Sequence, residues 1–101
     1  MVVSCPFAER QRVKRRPALV LGGALLHRAG HSVMAMVASS GPAPWPGDTP
    51  VGDLAAAGLK APCMVRMELL TLDNRLILQR LGTLARADAR KVERALRSVL
   101  S

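Results

Sequence analysis

Lys14-Arg15-Arg16-Pro17-Ala18-Leu19-Val20-Leu21 joins a dense cationic cluster directly to an apolar run. Five of the seven residues from Arg10 to Arg16 are Arg or Lys. Pro17 suits the first position of a strand, because its φ is fixed and it has no N–H. We therefore expect Ala8–Arg16 to be a charged loop and the cluster to form a phosphate-binding site at the start of a strand. A solvated run of charges is the alternative.

The composition favours a polyanionic partner. The chain has 101 residues, with 15 Lys and Arg against 7 Asp and Glu, and its formal net charge is +8. Such a charge makes association with polyanions favourable and salt-dependent. Nucleic acid is the commonest such partner, and an anionic membrane surface is the alternative. Phe7 and Trp45 are the only aromatic residues, which excludes RNA recognition on a platform of several stacked rings.

The length predicts one domain covering residues 1–101, with a small core. The first apolar run is far shorter than the ~20 residues of a membrane span. The N-terminus does not resemble a signal peptide, because the basic residues of the chain follow its N-terminal apolar residues instead of preceding an apolar core. A cytoplasmic location is expected. We expect Cys5 and Cys63 to be reduced. His27 and His31 have i,i+4 spacing but no neighbouring Cys, Asp or Glu, so we predict neither a metal nor a cofactor.

Hydrophobic patterning predicts short strands followed by one helix. The expected strands are Met1–Phe7, Pro17–Leu26, Ser32–Val37, Met64–Leu70 and Leu76–Leu81. Gly22 and Gly23 permit a bulge in the second strand. Gly41–Pro50 contains four prolines and two glycines, which predicts an irregular connection that continues to Pro62 with one short turn at Asp53–Gly58.

Two segments have a clear amphipathic period. In the fourth strand Arg66 and Glu68 are expected on one face, and Val65, Met67 and Leu69 on the other. Residues 86–100 place apolar side chains at helical spacing, which predicts an amphipathic C-terminal helix with a basic outer face. The fold class is therefore α+β, mostly β: a small SH3-like barrel with a C-terminal helix.

Four motifs carry a family resemblance along almost the whole chain. They are Lys14–Leu21, Ala35–Ser40, Trp45–Val51, and Val65-Arg66 through Thr71-Leu72-Asp73. In this order they resemble the MazF/PemK (Kid) toxins of bacterial type II toxin-antitoxin systems. The resemblance implies an SH3-like homodimer that cleaves single-stranded mRNA at short motifs without a metal. It also implies a cognate antitoxin, acidic and partly disordered, and operator DNA bound only through the antitoxin complex.

The resemblance also suggests roles for individual residues. Arg16 matches the family's catalytic arginine, whose guanidinium would stabilise charge on the phosphate. Arg66 and Glu68 match an arginine and an acidic position of the Kid branch, and Glu68 would accept the 2′-OH proton. A surface ion pair between these two is the alternative. Further RNA contacts are expected from Lys14, Arg15, Ser40 and Trp45. Trp45 would either stack a base or anchor its loop.

One position departs from the family pattern. Ala38 stands where the family usually has Thr, so a hydroxyl partner of the catalytic arginine is missing. Ser39 is expected to supply that hydroxyl, provided that the strand ends or bulges at Ala38. Two functions stay open on these residues, an endoribonuclease toxin and a relative that binds antitoxin or RNA without cleaving. A gyrase poison of the same fold is a weaker third, because the chain ends in Val99-Leu100-Ser101 without a Trp anchor.

Overall fold

The structure is a computed structural model that describes residues 1–9, 12–22, 28–39 and 45–100. The strands of the described chain are β1 (Val2–Glu9), β2 (Arg12–Gly22), β3 (His31–Ser39), β4 (Thr49–Pro50), β5 (Cys63–Asp73) and β6 (Gln79–Gly82). The helices are α1 (Leu54–Ala57), a 3₁₀ turn (Asn74–Leu76) and α2 (Arg86–Leu100).

The six strands form one antiparallel sheet that curls into a half-barrel. Its order is β4-β5-β3-β2-β1-β6, so β3 and β2 are central. The predicted fold class, mostly β with a C-terminal helix, is confirmed, and α2 has the predicted bounds. Among the described residues, no helix is long and apolar enough to cross a membrane.

Apolar side chains are buried on both faces of the sheet, because successive residues of a strand point to opposite sides. One face carries the larger core, in which Val2, Leu19 and Val65 pack with Leu84 and with Val92 of α2. The opposite face, called the cleft face here, carries a second buried cluster of Val3, Cys5, Ala18 and Met34. Strand alternation therefore decides which side chains can share a site.

The expected charged loop at Ala8–Arg16 is wrong. β1 continues to Glu9 and β2 already begins at Arg12, with Glu9 opposite Arg12 and Cys5 opposite Arg16. The cationic cluster therefore lies on a strand, where alternation fixes the direction of each side chain. Paired antiparallel strands extend the hairpin because Val13 and Phe7 continue the apolar pattern between the charges.

Pro17 lies inside β2 and not at its first position. Its partner on β1 is Ser4, whose carbonyl accepts the N–H of Leu78 in the direction away from β2. The Ser4–Pro17 pair is thus not hydrogen-bonded, and the Pro17 nitrogen faces the β3 side. Pairing with β3 begins only at Ala18. No ladder hydrogen bond is lost, which is why a proline is tolerated here.

Other element bounds also differ from expectation. β2 is described to Gly22, after a register shift between Val20 and Gly22 that confirms the expected bulge, and residues 23–26 of the predicted strand lie outside the described residues. β6 begins at Gln79 and not at Leu76, because the Asp73 side chain accepts the N–H of Arg75 and caps the 3₁₀ turn.

The connection predicted to be irregular contains a short strand, since Thr49–Pro50 pairs with Val65 and Met64. The expected turn at 53–58 is confirmed as α1, with Asp53 as its N-cap. Both cysteines are free thiols as predicted, and burial raises the pKa of Cys5. His27 lies outside the described residues.

Candidate functional site

A cleft of about 490 Å³ opens on the cleft face of the sheet. Its lining is Phe7, Arg16, Met36, Val37, Ala38, Arg66, Glu68, Leu69 and Leu70. The described charged side chains of this lining are Arg16, Arg66 and Glu68. Residues that are 50 positions apart in the sequence are thus brought to one site, on strands β2 and β5 that flank β3.

The side chains of the cationic cluster divide between the two faces. Arg16 is half-buried in the cleft, and Lys14, two residues before it, is exposed on the same face. Arg15 points to the opposite face. The expected grouping of all three around one phosphate is therefore wrong for Arg15, because a strand and not a loop carries them.

Strand β5 has a two-residue irregularity beside the cleft. Ala35 pairs with Leu69 whereas Met36 pairs with Arg66, so Met67 and Glu68 are extra residues on β5. Bulges of this kind re-aim side chains and are frequent beside functional sites. Arg66 and Glu68 share the cleft, as predicted, and Val65 and Met67 are buried. Leu69 was expected to be buried with them, but it lines the cleft and is 37% exposed.

Arg66 forms an ion pair with Asp48, a residue that no sequence motif marked as part of the site. Arg66 Nε donates to Asp48 Oδ1 over 3.1 Å, and Nη2 donates to Oδ2 over 3.0 Å. These hydrogen bonds lower the pKa of Asp48 and raise that of Arg66. The alternative of a surface pair with Glu68 is not the main interaction of Arg66: the hydrogen bonds to Asp48 are the largest cause of its raised pKa, and the charge of Glu68 is a smaller one. Within the described part of the chain, the exposed Glu68 carboxylate accepts no hydrogen bond.

Trp45 contacts both members of the Arg66–Asp48 pair. Its backbone N–H donates to Asp48 Oδ2 over 2.9 Å, and the Arg66 guanidinium carbon lies 5.8 Å from the centre of its ring. This distance is within the range of a cation–π contact. Trp45 is 44% exposed. It is thus anchored to β5, and it also keeps surface that can be stacked upon. A Trp-Pro-Gly-Asp turn is the sequence signal that could have indicated Asp48.

The predicted hydroxyl group is not in the cleft. β3 and β5 pair regularly from Met36 opposite Arg66 to Ser39 opposite Cys63, so no bulge forms at Ala38. Ala38 lines the cleft, and Ser39 points to the other face. The expectation that Ser39 replaces the missing threonine is wrong for this reason. Ser40 lies outside the described residues.

A cleft with two guanidinium groups and one carboxylate can bind a phosphate and accept a proton beside it. Solved structures with the same fold are small toxins. The Mycobacterium tuberculosis toxin MazF-mt6 is 17% identical, with a TM-score of 0.75 over 99% of this chain and 96% of that chain. An endoribonuclease from a mycobacterial species, in complex with its cognate antitoxin, is 18% identical, with a TM-score of 0.78 over 98% and 89%. MazF in a MazE-MazF structure from Deinococcus radiodurans is 22% identical, with a TM-score of 0.75 over 98% and 91%.

The fold, with a cleft that holds two guanidinium groups and one carboxylate, thus defines a class of small curled-sheet proteins. Residues 1–100 match the PemK-like, MazF-like toxins of type II toxin-antitoxin systems, and the chain belongs to that family. No curated protein sequence matches the chain.

Proposed function

We propose that this protein is the toxin of a type II toxin-antitoxin pair and acts as a metal-independent endoribonuclease on single-stranded mRNA. One observation carries this proposal: Arg16 of β2 meets Arg66 and Glu68 of β5 in one cleft, although β3 lies between the two strands. Family membership supports the toxin role. The structure of an endoribonuclease with the same fold supports the reaction type.

In the proposed reaction the 2′-OH of the RNA attacks the adjacent phosphorus, and the bond to the 5′-oxygen breaks. Glu68 accepts the proton of the 2′-OH, and the leaving 5′-oxygen takes a proton from water. Arg16 stabilises the negative charge that develops on the phosphorane oxygens. The products are a 2′,3′-cyclic phosphate and a 5′-hydroxyl end. Arg16 acts through its charge and not as a proton donor, because the delocalised guanidinium of arginine is always charged in proteins.

RNA beyond the reacting phosphate would contact Lys14 and Arg66, and a base would stack on the exposed part of Trp45. Arg15 would contact RNA only where the RNA passes to the face of the sheet opposite the cleft. The remaining partners of this proposal are a second copy of the chain, an acidic and partly disordered antitoxin, and operator DNA reached only through the antitoxin complex. The proposed location is the cytoplasm.

A second function is favoured by Ala38. The cleft has no hydroxyl at this position, and Ser39 faces away from it. Loss of one such donor costs about 2.7–4 kcal/mol of transition-state stabilisation, or about 10²–10³ in rate. The protein would then bind antitoxin or RNA without cleaving.

End mapping of a long mRNA, incubated with purified protein in EDTA, tests these two functions. We expect cyclic phosphate ends with the wild type, none with Arg16→Ala, and about 10²-fold faster cleavage with Ala38→Thr. Arg90→Ala is the matched control, because it removes one exposed arginine from α2 away from the cleft.

Cleavage by Ala38→Thr alone would assign the non-cleaving function to the natural chain. Absence of cleavage by both proteins would overturn the proposal that this cleft cuts RNA.

A further inference from the structure

The Asp48 carboxylate accepts three hydrogen bonds, although it lies in a loop. Its side chain is only 12% exposed, and it accepts from Arg66 Nε, from Arg66 Nη2 and from the Trp45 backbone N–H. The Arg66 side chain that it holds is 22% exposed and lines the cleft. Asp48 therefore touches the cleft only through Arg66.

The bidentate pair fixes the direction of the guanidinium. Two parallel N–H···O bonds define both the position and the plane of the group, which one contact to a lysine would not do. The Trp45 ring lies on the other side of this arrangement at 5.8 Å. Arg66 is thus held in one orientation before any ligand arrives, and such preorganisation is what a charged group needs to act on a transition state.

The same pair cancels the charge of Arg66. The described charged residues of the cleft are Arg16, Arg66 and Glu68, and Asp48 adds a negative charge directly behind Arg66. These two positive and two negative charges sum to zero, although the whole chain carries a formal net charge of +8. Asp48 therefore weakens the attraction of the cleft for phosphate while it orders the group that meets it.

We propose that Asp48 is a positioning residue: its carboxylate fixes the orientation of Arg66 and, through its negative charge, lowers the affinity of the cleft for RNA. This inference rests on the function proposed above. Its consequence is a pair of opposite effects. Loss of the carboxylate slows cleavage because Arg66 is no longer oriented, and it leaves RNA binding equal or tighter because the cleft gains one positive charge. A residue that only stabilises the fold would weaken both together.

The turn that carries Asp48 is also held by packing of its backbone, so Asp48 can be substituted without displacing the turn. A Cβ at Gly47 would lie 3.0 Å from the side chains of Met67 and Val99, so the backbone of this turn packs closely on β5 and α2. We expect Asp48→Asn to keep the turn in place, because this packing does not involve the carboxylate. A melting curve of each variant checks that it is folded.

The test compares Asp48→Asn, Asp48→Glu and Glu93→Gln with the wild type. Glu93→Gln is the matched control, since it also replaces a carboxylate paired with an arginine, but on the exposed face of α2. The measurements are single-turnover cleavage of an RNA and the Kd of the same RNA with a 2′-deoxy substitution that prevents cleavage. For Asp48→Asn we expect a rate at least about tenfold lower with an equal or smaller Kd. Asp48→Glu should recover part of the rate, and Glu93→Gln should stay within about twofold on both measures.

A rate within about twofold of the wild type in Asp48→Asn would overturn the proposal, and so would parallel losses of rate and affinity. A second readout does not depend on cleavage. The Arg66 Nε–H resonance, assigned with Arg66→Lys, should shift and exchange faster with water in Asp48→Asn, and an unchanged resonance would refute the positioning role. If the wild type does not cleave RNA, the proposed function fails, while this resonance and the Kd still decide the role of Asp48.

Discussion

Single residues decide the chemistry of the cleft. Ala38 provides no hydroxyl where one is expected, and Asp48, not Glu68, is the partner of Arg66. Residue identities at Arg16, Arg66 and Glu68 were predicted from the sequence. The pairing of Arg66 was not, because a carboxylate 18 positions earlier becomes its neighbour only when β4 joins β5.

Among the described glycines, Gly58 should be the least tolerant of substitution. It ends α1 with φ +71°, and a Cβ there would overlap the carbonyl oxygen of Leu81. We expect Gly58→Ala to lower the free energy of unfolding by about 2–5 kcal/mol, from the left-handed conformation and the steric overlap together. Urea unfolding measures this change.

Gly30→Ala is the control for the conformational part, because Gly30 has φ +82° with open space around its Cβ position. It should cost only about 1–2 kcal/mol. Equal costs at the two glycines would show that the contact with Leu81 has no energetic effect.

At the scale of elements, the attachment of α2 depends on a buried carboxylate. Asp88 lies in the first turn of α2, is only 3% exposed, and accepts the N–H groups of Gly52 and Asp53 over 3.0 and 2.9 Å. Its position in the first turn predicts only a favourable interaction with the helix dipole. Its actual contacts lie 35 and 36 positions earlier, in the segment before α1, and helical periodicity contains no information about them.

Asp88 should make stability depend on pH. The N–H of Asp53, with that of Gly52, lowers the pKa of Asp88 in the folded state. A lowered folded pKa means that this stabilisation is complete above the unfolded value of about 3.9 and is lost as the pH falls through the folded value. We expect Asp88→Asn to cost about 1–3 kcal/mol at pH 7 and much less at pH 2.

Urea unfolding of both proteins at the two pH values is the measurement. Glu93→Gln, which removes an exposed pair on the same helix, should cost under about 1 kcal/mol at pH 7. A cost of Asp88→Asn that does not change with pH would contradict the assigned role of the ionised carboxylate.

At the scale of the whole molecule, the +8 charge and the nearly neutral cleft act in different ways. In the proposed function the total charge would attract RNA from a distance, and the cleft would select how a phosphate is oriented. Four exposed basic residues of α2, Arg90, Lys91, Arg94 and Arg97, contribute to the first effect and lie outside the cleft lining.

RNA binding should therefore weaken with salt in a way that separates the two regions. The slope of log Kobs against log salt changes by about 0.7 for each phosphate contact on a single strand. We expect Arg16→Ala to reduce the slope by about this amount and Arg90→Ala to leave it nearly unchanged. Titration of a 2′-deoxy-blocked RNA at several salt concentrations measures both slopes. A larger change with Arg90→Ala would place the phosphate contacts on the helix.

The sequence by itself determined the fold class, the bounds of α2 and the identities of three cleft residues, because hydrophobic period and ordered motifs are local properties of the chain. Only the tertiary structure decided which of these side chains face one another. Strand pairing turned the expected charged loop into a strand, which sent Arg15 away from Arg16 and Ser39 away from Ala38. The pairing of β2 with β3 and of β3 with β5 brought Arg16 to the same cleft as Arg66 and Glu68, and the packing of β4 brought Asp48 to Arg66. Register and long-range pairing are set by contacts between distant segments, so no local pattern contains them.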